Sequence, residues 1–312
     1  MTITQLEYII AVDTHRHFAI AAEHCFVTQP TLSMQIQKLE DTLDCKIFDR
    51  SKQPVIPTET GEAIITQARI IVHETKMLLQ LINQKKGLIE GELRIGIIPT
   101  IAPYLLPLFL QNFLAKYPQV KLKITELTTD VIVEKLKAGK IDAGILVTPL
   151  LDSSIIEYHL LHEELVAYIS KSNAAYKKRY VLPTDIDLKQ LWLLEEGHCF
   201  RNQIINLCEL KKQQIEQSHV EYQAGSLETL RKLVEVNNGI TILPEMSTTD
   251  FNTKQKNMVR HFKQPVPVRE ISLVTHRSYH KKKLIDALKN EIVQALPIKK
   301  IVPKKTITVS IN

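Results

Sequence analysis

Apolar positions follow a helical period over roughly the first 85 residues. From about residue 92, short strand-like runs alternate with helical ones. Residues 4–14 space Leu6, Ile9 and Ile10 as one helix face, and His15-Arg16-His17 breaks it. Phe18 to Cys25 reads as a second short helix, rich in alanine and so suited to close packing. Thr28-Gln29-Pro30 then has the chemistry of a helix start, with threonine as N-cap and proline in the first turn. The third helix runs to about Leu43, with Leu32, Ile36, Leu39 and Leu43 on one stripe. At ~100° per residue the opposite face carries Pro30, Thr31, Met34, Gln37 and Lys38, flanked by Ser33 and Gln35. Three short helices ending in an N-capped polar one fit a helix-turn-helix, in which Gln reads adenine edges and the helix start takes a phosphate. The same pattern also fits a solvated amphipathic helix in any small bundle.

Two short apolar runs around Lys46–Pro57 flank a basic turn, as in a β-hairpin wing that offers Arg50 and Lys52 to phosphates. A long helix follows from Thr58 to about Lys86, about 40 Å at ~1.5 Å per residue. Its stripe of Ala68, Val72, Leu79 and Ile82 predicts pairing with a second copy. Strands are then expected at Leu93–Ile98, Val120–Glu126, Asp142–Val147, Leu165–Ser170, Leu191–Glu195, Val220–Ala224, Ile240–Leu243 and Glu270–Thr275. Helices are expected at Tyr104–Lys116, Asp130–Ala138, near Asn202–Leu210, at Ser226–Glu235 and at Tyr279–Gln294. This is α/β architecture in two similar lobes, a bilobed domain of the periplasmic-binding-protein-like kind with a cleft between them. The expected division is 1–58 for DNA binding, 59–90 for the linker helix, 91–163 with 268–296 for lobe I, and 164–267 for lobe II. The lysine-bearing tail, 297–312, is expected to be lightly attached.

Charge changes this picture little. The net charge is +6, but residues 1–58 carry five basic against seven acidic side chains, so the helical pattern has to carry the DNA-binding reading. No apolar run approaches the ~20 residues of a membrane span, and the first residues lack a basic and an apolar signal region, so a cytoplasmic protein without membrane contact is expected. Four cysteines are too few for a disulfide scaffold. Cys25 and Cys45 read as small buried hydrophobes. No Cys-x-x-Cys or zinc-finger spacing is present, and neither a metal site nor a cofactor is expected.

Gly197-His198-Cys199-Phe200-Arg201 differs from this background, because Cys199 has a histidine beside it and an arginine two residues on. Both, with the start of a helix near Asn202, favour a thiolate. Cys208 lies nine residues away. From spacing alone the two are either a redox pair or two unrelated buried thiols.

Thr28-Gln29-Pro30-Thr31-Leu32-Ser33 through Glu40, Thr58-Glu59-Thr60-Gly61 and Ile95-Gly96-Ile97-Ile98-Pro99-Thr100 resemble the LysR-type transcriptional regulators. Gly197-His198-Cys199-x-Arg201-x-Gln203 with Cys208, Ser226–Arg231 and Gly239–Pro244 resemble their peroxide-sensing branch. The resemblance implies a winged helix-turn-helix activator of oxidative-stress genes. Its implied partners are double-stranded promoter DNA, RNA polymerase, hydrogen peroxide and further copies of itself in a homotetramer. It makes Thr28, Gln29, Pro30, Thr31, Ser33, Met34, Gln37, Lys38, Arg50 and Lys52 the DNA-contacting set. It also makes Cys199 the peroxide-reactive thiolate and Cys208 the resolving thiol, with Thr100, Thr129, His198 and Arg201 around the peroxide. The branch's further pocket histidine falls on Glu221 by ungapped count from Ser226, and His219 is the nearest histidine. Asn202 and Met34 depart from the pattern.

Were residues 199–208 helical, the offset would place the two cysteines ~13.5 Å apart along the axis and on opposite faces. A disulfide needs Cα atoms within ~7 Å, so its formation requires the segment to unwind. Two other readings remain: a LysR-type regulator sensing a small metabolite in the cleft, and an enzyme, a thiol peroxidase or disulfide reductase. The enzyme reading leaves the first 90 residues without a role.

Overall fold

The structure, a computed structural model, describes residues 1–84, 89–187, 190–194, 199–208, 226–279, 281–296 and 306–309. Contacts divide it into two compact units, 1–88 and 89–312.

In the first unit, α1 (Ile3–His15), α2 (Phe18–His24) and α3 (Gln29–Leu43) precede a two-stranded hairpin of β1 (Phe48–Asp49) and β2 (Ile56–Pro57). The long helix α4 (Glu59–Gln84) follows. The Thr28 side chain caps α3 by accepting from the Thr31 N–H, as the sequence predicts. Leu32, Ile36 and Leu39 are buried, whereas Leu43 is exposed, because it is the last helical residue before Asp44 turns into the left-handed region. Gly61, in the first turns of α4, is required by packing: a Cβ there would lie 2.0 Å from the Ile47 carbonyl oxygen. Ala68 and Val72, expected to face a second copy, are instead buried in this unit's own core with Leu6, Ile9 and Val12. The side chains of Leu79 and Ile82, and residues 85–86, lie outside the described residues.

The second unit contains β3 (Gly91–Ile97), α5 (Ala102–Lys116), β4 (Val120–Glu126), α6 (Thr129–Lys137), β5 (Ala143–Thr148) and the long β6 (Ile155–Ile169). After β7 (Tyr180–Val181) come α7 (Cys199–Leu207), α8 (Leu227–Val236), β8 (Ile240–Pro244) and α9 (Thr253–Lys256). β9 (Val259–Phe262), β10 (Val266–His276), α10 (Lys282–Ala295) and β11 (Thr306–Thr308) complete it. The strands order as β4-β3-β5-β10-β6-β9-β7, with β8 against β6 and β11 against β10. β4, β3 and β5 are parallel, joined by α5 and α6, as alternating strand and helix dictate. One hydrophobic core gathers around β3, β5, α5 and α10, and a second around β8, α7 and α8. β6 and β10 pair antiparallel over nine rungs, and β6 runs through both cores.

Several elements differ from expectation. β6 begins ten residues before Leu165, and a β-bulge at its centre explains why the alternation hides it. Leu191 makes an isolated bridge to Ile240, and Trp192 and Leu193 form no strand. The tail is not wholly loose: β11 pairs in parallel with the start of β10, and the Val309 side chain is buried in the second core. The expected strand Val220–Ala224, Glu195 and residues 297–305 lie outside the described residues.

Candidate functional site

The expected DNA-facing residues lie together on and beside α3. Thr28, Gln29, Pro30, Met34 and Lys38 are exposed, and Thr31, Ser33 and Gln37 are partly so. The chain turns from α2 into α3 through Phe26, which is 95% exposed and has a left-handed φ of 57°. Beneath α3, the fully buried Glu40 accepts from the backbone N–H of Ile47 at 2.9 Å and of Phe48 at 3.4 Å. That carboxylate also draws in Lys46 at 3.4 Å and Arg50 at 3.3 Å. Arg50 therefore does not stand free for a phosphate. Its guanidinium spans Glu40 and the Ser33 hydroxyl and lies 5.1 Å above the Phe18 ring. Lys52 sits 4.0 Å from Asp49.

The two threonines expected around the peroxide both follow the carboxyl ends of neighbouring parallel strands. Thr100 is three residues beyond β3 and Thr129 three beyond β4, and Ile97 and Glu126 are paired. That end of a parallel sheet is where such folds bind small ligands. Both are buried. Among the described residues the Thr129 hydroxyl has no hydrogen-bond partner, which marks a place for a small polar ligand or water. The Thr100 hydroxyl accepts from Arg269 Nη1 at 3.0 Å, and its carbonyl accepts from Nη2 at 3.1 Å.

Arg269 organises this region. It is fully buried on β10, in register with Glu163 on β6. Its Nε donates to Glu163 Oε2 at 2.9 Å, while Glu163 Oε1 accepts from the Met246 N–H at 2.8 Å. The guanidinium stands 5.2 Å from the centre of the Phe200 ring. Phe200 follows Cys199, so this buried cation lies against the first turn of α7. One side chain thus touches Thr100 from the first core and Phe200 from the second. Sequence reasoning missed both Arg269 and Glu163; charged residues inside the apolar runs of β6 and β10 were the signal.

α7 begins at Cys199 itself, three residues earlier than expected, so the positive helix end falls on Cys199. Arg201 is engaged elsewhere: its Nη1 donates to the Leu194 carbonyl at 2.9 Å. Phe200, Gln203 and Ile204 are fully buried. Gln203 Nε2 donates to the Val309 carbonyl at 2.9 Å, so the tail holds the middle of this helix. The helical bonding extends to Cys208, whose N–H donates to the Ile204 carbonyl at 3.0 Å. Burial pushes the Cys208 thiol up to about 12, so while the helix keeps it buried it stays protonated at neutral pH. The Cys199 side chain, His198 and His219 lie outside the described residues.

Comparison with known proteins agrees with these features. Residues 3–62 match the bacterial regulatory helix-turn-helix protein, lysR family, and residues 86–297 match the LysR substrate binding domain. A Haemophilus influenzae hydrogen peroxide-inducible genes activator is 34% identical over 88% of this chain and 90% of its own. The Escherichia coli DNA-binding transcriptional dual regulator OxyR is 35% identical over 88% and 89%. A full-length OxyR variant from Pseudomonas aeruginosa superposes with a TM-score of 0.78 at 32% identity, covering 94% of this chain and 98% of that one. The chain belongs to the LysR family of transcriptional regulators, within the branch of the OxyR-type hydrogen peroxide-inducible genes activators.

Proposed function

We propose that this chain senses hydrogen peroxide through a reversible Cys199–Cys208 disulfide and, as a homotetramer on promoter DNA, then recruits RNA polymerase to oxidative-stress defence genes in the cytoplasm. The observation that carries the reading is the helix α7, which fills the whole interval between the two cysteines.

The chemistry runs in two steps. The Cys199 thiolate attacks one peroxide oxygen, the O–O bond breaks, and the departing hydroxide takes a proton to leave as water. Sulfur is oxidised by two electrons to a sulfenic acid. The Cys208 thiol then attacks that sulfur, a second water leaves, and the disulfide forms. The positive end of α7 favours the thiolate required for the first step, and the Arg269 guanidinium, paired with Glu163, adds only what that pairing leaves of its charge. Thr129, whose hydroxyl has no partner among the described residues, is the group to hold peroxide, and His198 and Arg201 remain the nearby candidates by sequence.

The second step cannot proceed on the intact helix. The cysteines stand at its two ends, ~13.5 Å apart along the axis, and a disulfide tolerates ~7 Å between Cα atoms. α7 must unwind, withdrawing Phe200 and Ile204 from the second core at about 1.5–3 kcal/mol each. Oxidation therefore trades one packing of this segment for another, and the repacked segment is the message passed on.

Peroxide titration with thiol counting tests this. Two thiols should be lost per chain, none of them in Cys199→Ser, with an altered promoter footprint. Cys208→Ser should stop at the sulfenic acid and fail to induce. Full induction by Cys208→Ser would sink the disulfide step, and an unchanged thiol count with a metabolite-dependent melting shift would favour a metabolite sensor.

A further inference from the structure

The bulge in β6 gathers a second set of reactive side chains, away from the cysteines. Residues three apart on a regular strand point to opposite faces, so His159 and His162 should be separated by the sheet. In the β6–β10 ladder, Ile271 pairs with Leu161 but Ser272 pairs with His159, leaving Leu160 as an extra residue. Leu160 and Leu161 are accordingly both buried. The bulge reverses the alternation and brings both histidines to one face, 3.0 Å apart between His159 Nε2 and His162 Nδ1. Glu270, directly opposite His162 on β10, lies on the same face, with Oε2 3.7 Å from His162 Nε2.

We propose that His159, His162 and Glu270 bind a borderline divalent cation of the zinc class, with solvent completing the coordination. Three observations support it. One donor atom from each residue lies within 4.8 Å of the other two. Donors around a tetrahedral zinc ion at ~2.0–2.1 Å sit about 3.3 Å from one another, so the two rings need part by only a few tenths of an ångström, while the Glu270 carboxylate, which faces the other nitrogen of His162, has to close by up to about 1.5 Å. Two imidazoles with one carboxylate are the ligand set such ions take, leaving an open position. The carboxylate is already oriented: Glu270 Oε1 accepts from the Thr148 hydroxyl at 3.1 Å, and Thr148 is in turn bonded to Ser272 at 2.7 Å. Such outer bonds fix metal-ligating carboxylates. His159 is exposed, which gives the ion a path in. The cation replaces the proton the two histidines share in the free protein.

The site braces the two long paired strands. Its His162–Glu270 rung adjoins the Glu163–Arg269 rung, whose side chains point to the other face.

The test uses the full-length protein stripped with a chelator and titrated with Co²⁺. One ion per chain is expected, with the visible bands of nitrogen and oxygen coordination and no thiolate-to-cobalt charge transfer. His162→Ala should abolish this binding, and so should His159→Ala, which removes only an exposed side chain. Thr148→Ala should weaken it about 10–100-fold. Zn²⁺ should raise the melting temperature of the parent protein and of neither histidine variant. Unchanged cobalt binding in the two histidine variants, a thiolate charge-transfer band, or no binding at all would overturn the site.

Discussion

α3 and α7 are both short amphipathic helices with residues of functional interest along one side, yet they are held in opposite ways. α3 is secured from nearby in the chain. Thr28 caps its first turn, and Glu40 anchors it to Ile47 and Phe48, seven and eight residues on. α7 has one local tie, Arg201 to Leu194, and its other supports come from far away. Gln203 bonds to Val309 across 106 residues, and Phe200 packs under Arg269 from β10. The helix that presents its polar face to DNA takes its cap and its anchoring carboxylate from its own stretch of sequence, although its apolar stripe packs into one core with α1 and α4. The helix proposed to unwind on oxidation is held mainly by contacts from distant parts of the chain.

The most severe way to break the distant support is Arg269→Ala. It leaves the Glu163 carboxylate buried without its cation, and breaking such a pair costs about 3–5 kcal/mol. A fall in melting temperature of roughly 10 °C is expected, with slower peroxide oxidation of Cys199 by stopped-flow. Replacing both partners, as Arg269→Met with Glu163→Leu, should restore much of the stability but not the oxidation rate. Restored oxidation in the double variant would remove Arg269 from thiolate activation.

The local support breaks at Glu40. Glu40→Ala strips two buried N–H groups of their acceptor, a loss of about 2–4 kcal/mol from the first unit. Arg50→Ala separates support from contact more finely. If Arg50 only braces α3 through Ser33 and Glu40, DNA affinity falls while its salt dependence stays. If it meets a phosphate, the slope of log affinity against log salt shrinks by about 0.9.

Deleting residues 306–312 sharpens the comparison further, because it removes the tail contact and leaves α7 itself unaltered. The deletion takes the buried Val309 side chain out of the second core, a loss of about 1.5–3 kcal/mol. If the tail favours the helical, reduced state, its loss makes the disulfide easier to form. The reduction potential should then move about 30–60 mV more negative in thiol–disulfide equilibration. An unchanged potential would show that the tail holds both states equally.

The same contrast governs what could be read from the sequence. α3 was legible because its cap, proline and stripe are neighbours in the chain, and β4 matched its predicted bounds because nothing interrupts its pattern. The first half of β6 was hidden by the bulge, which sets two buried leucines side by side and destroys the alternation. For the same reason no spacing rule unites His159 and His162. Among the site residues, the LysR-type pattern marked Cys199, Cys208, Thr100 and Thr129. Arg269 and Glu163 showed only as charges inside apolar runs and Val309 gave no local signal, since each acquires its role only when a strand from elsewhere arrives beside it.

Phe26 gives the smallest expected effect and tests whether the local specification of α3 is complete. It stands in the turn ahead of the helix, in the left-handed region, with its ring almost wholly in solvent. That conformation costs an L-residue about 1–2 kcal/mol, less for asparagine, whose side chain bonds locally. Among the described residues no packing offsets the cost. Phe26→Asn should therefore stabilise the first unit by about 0.5–1 kcal/mol in chemical denaturation. If it also weakens operator binding, the exposed ring is a DNA-side or partner-side contact for which the turn accepts strain. If binding is unaffected, the strain has no such use. A loss of stability on substitution would show that the ring packs after all, and that the turn into α3 depends on more than its neighbours in the chain.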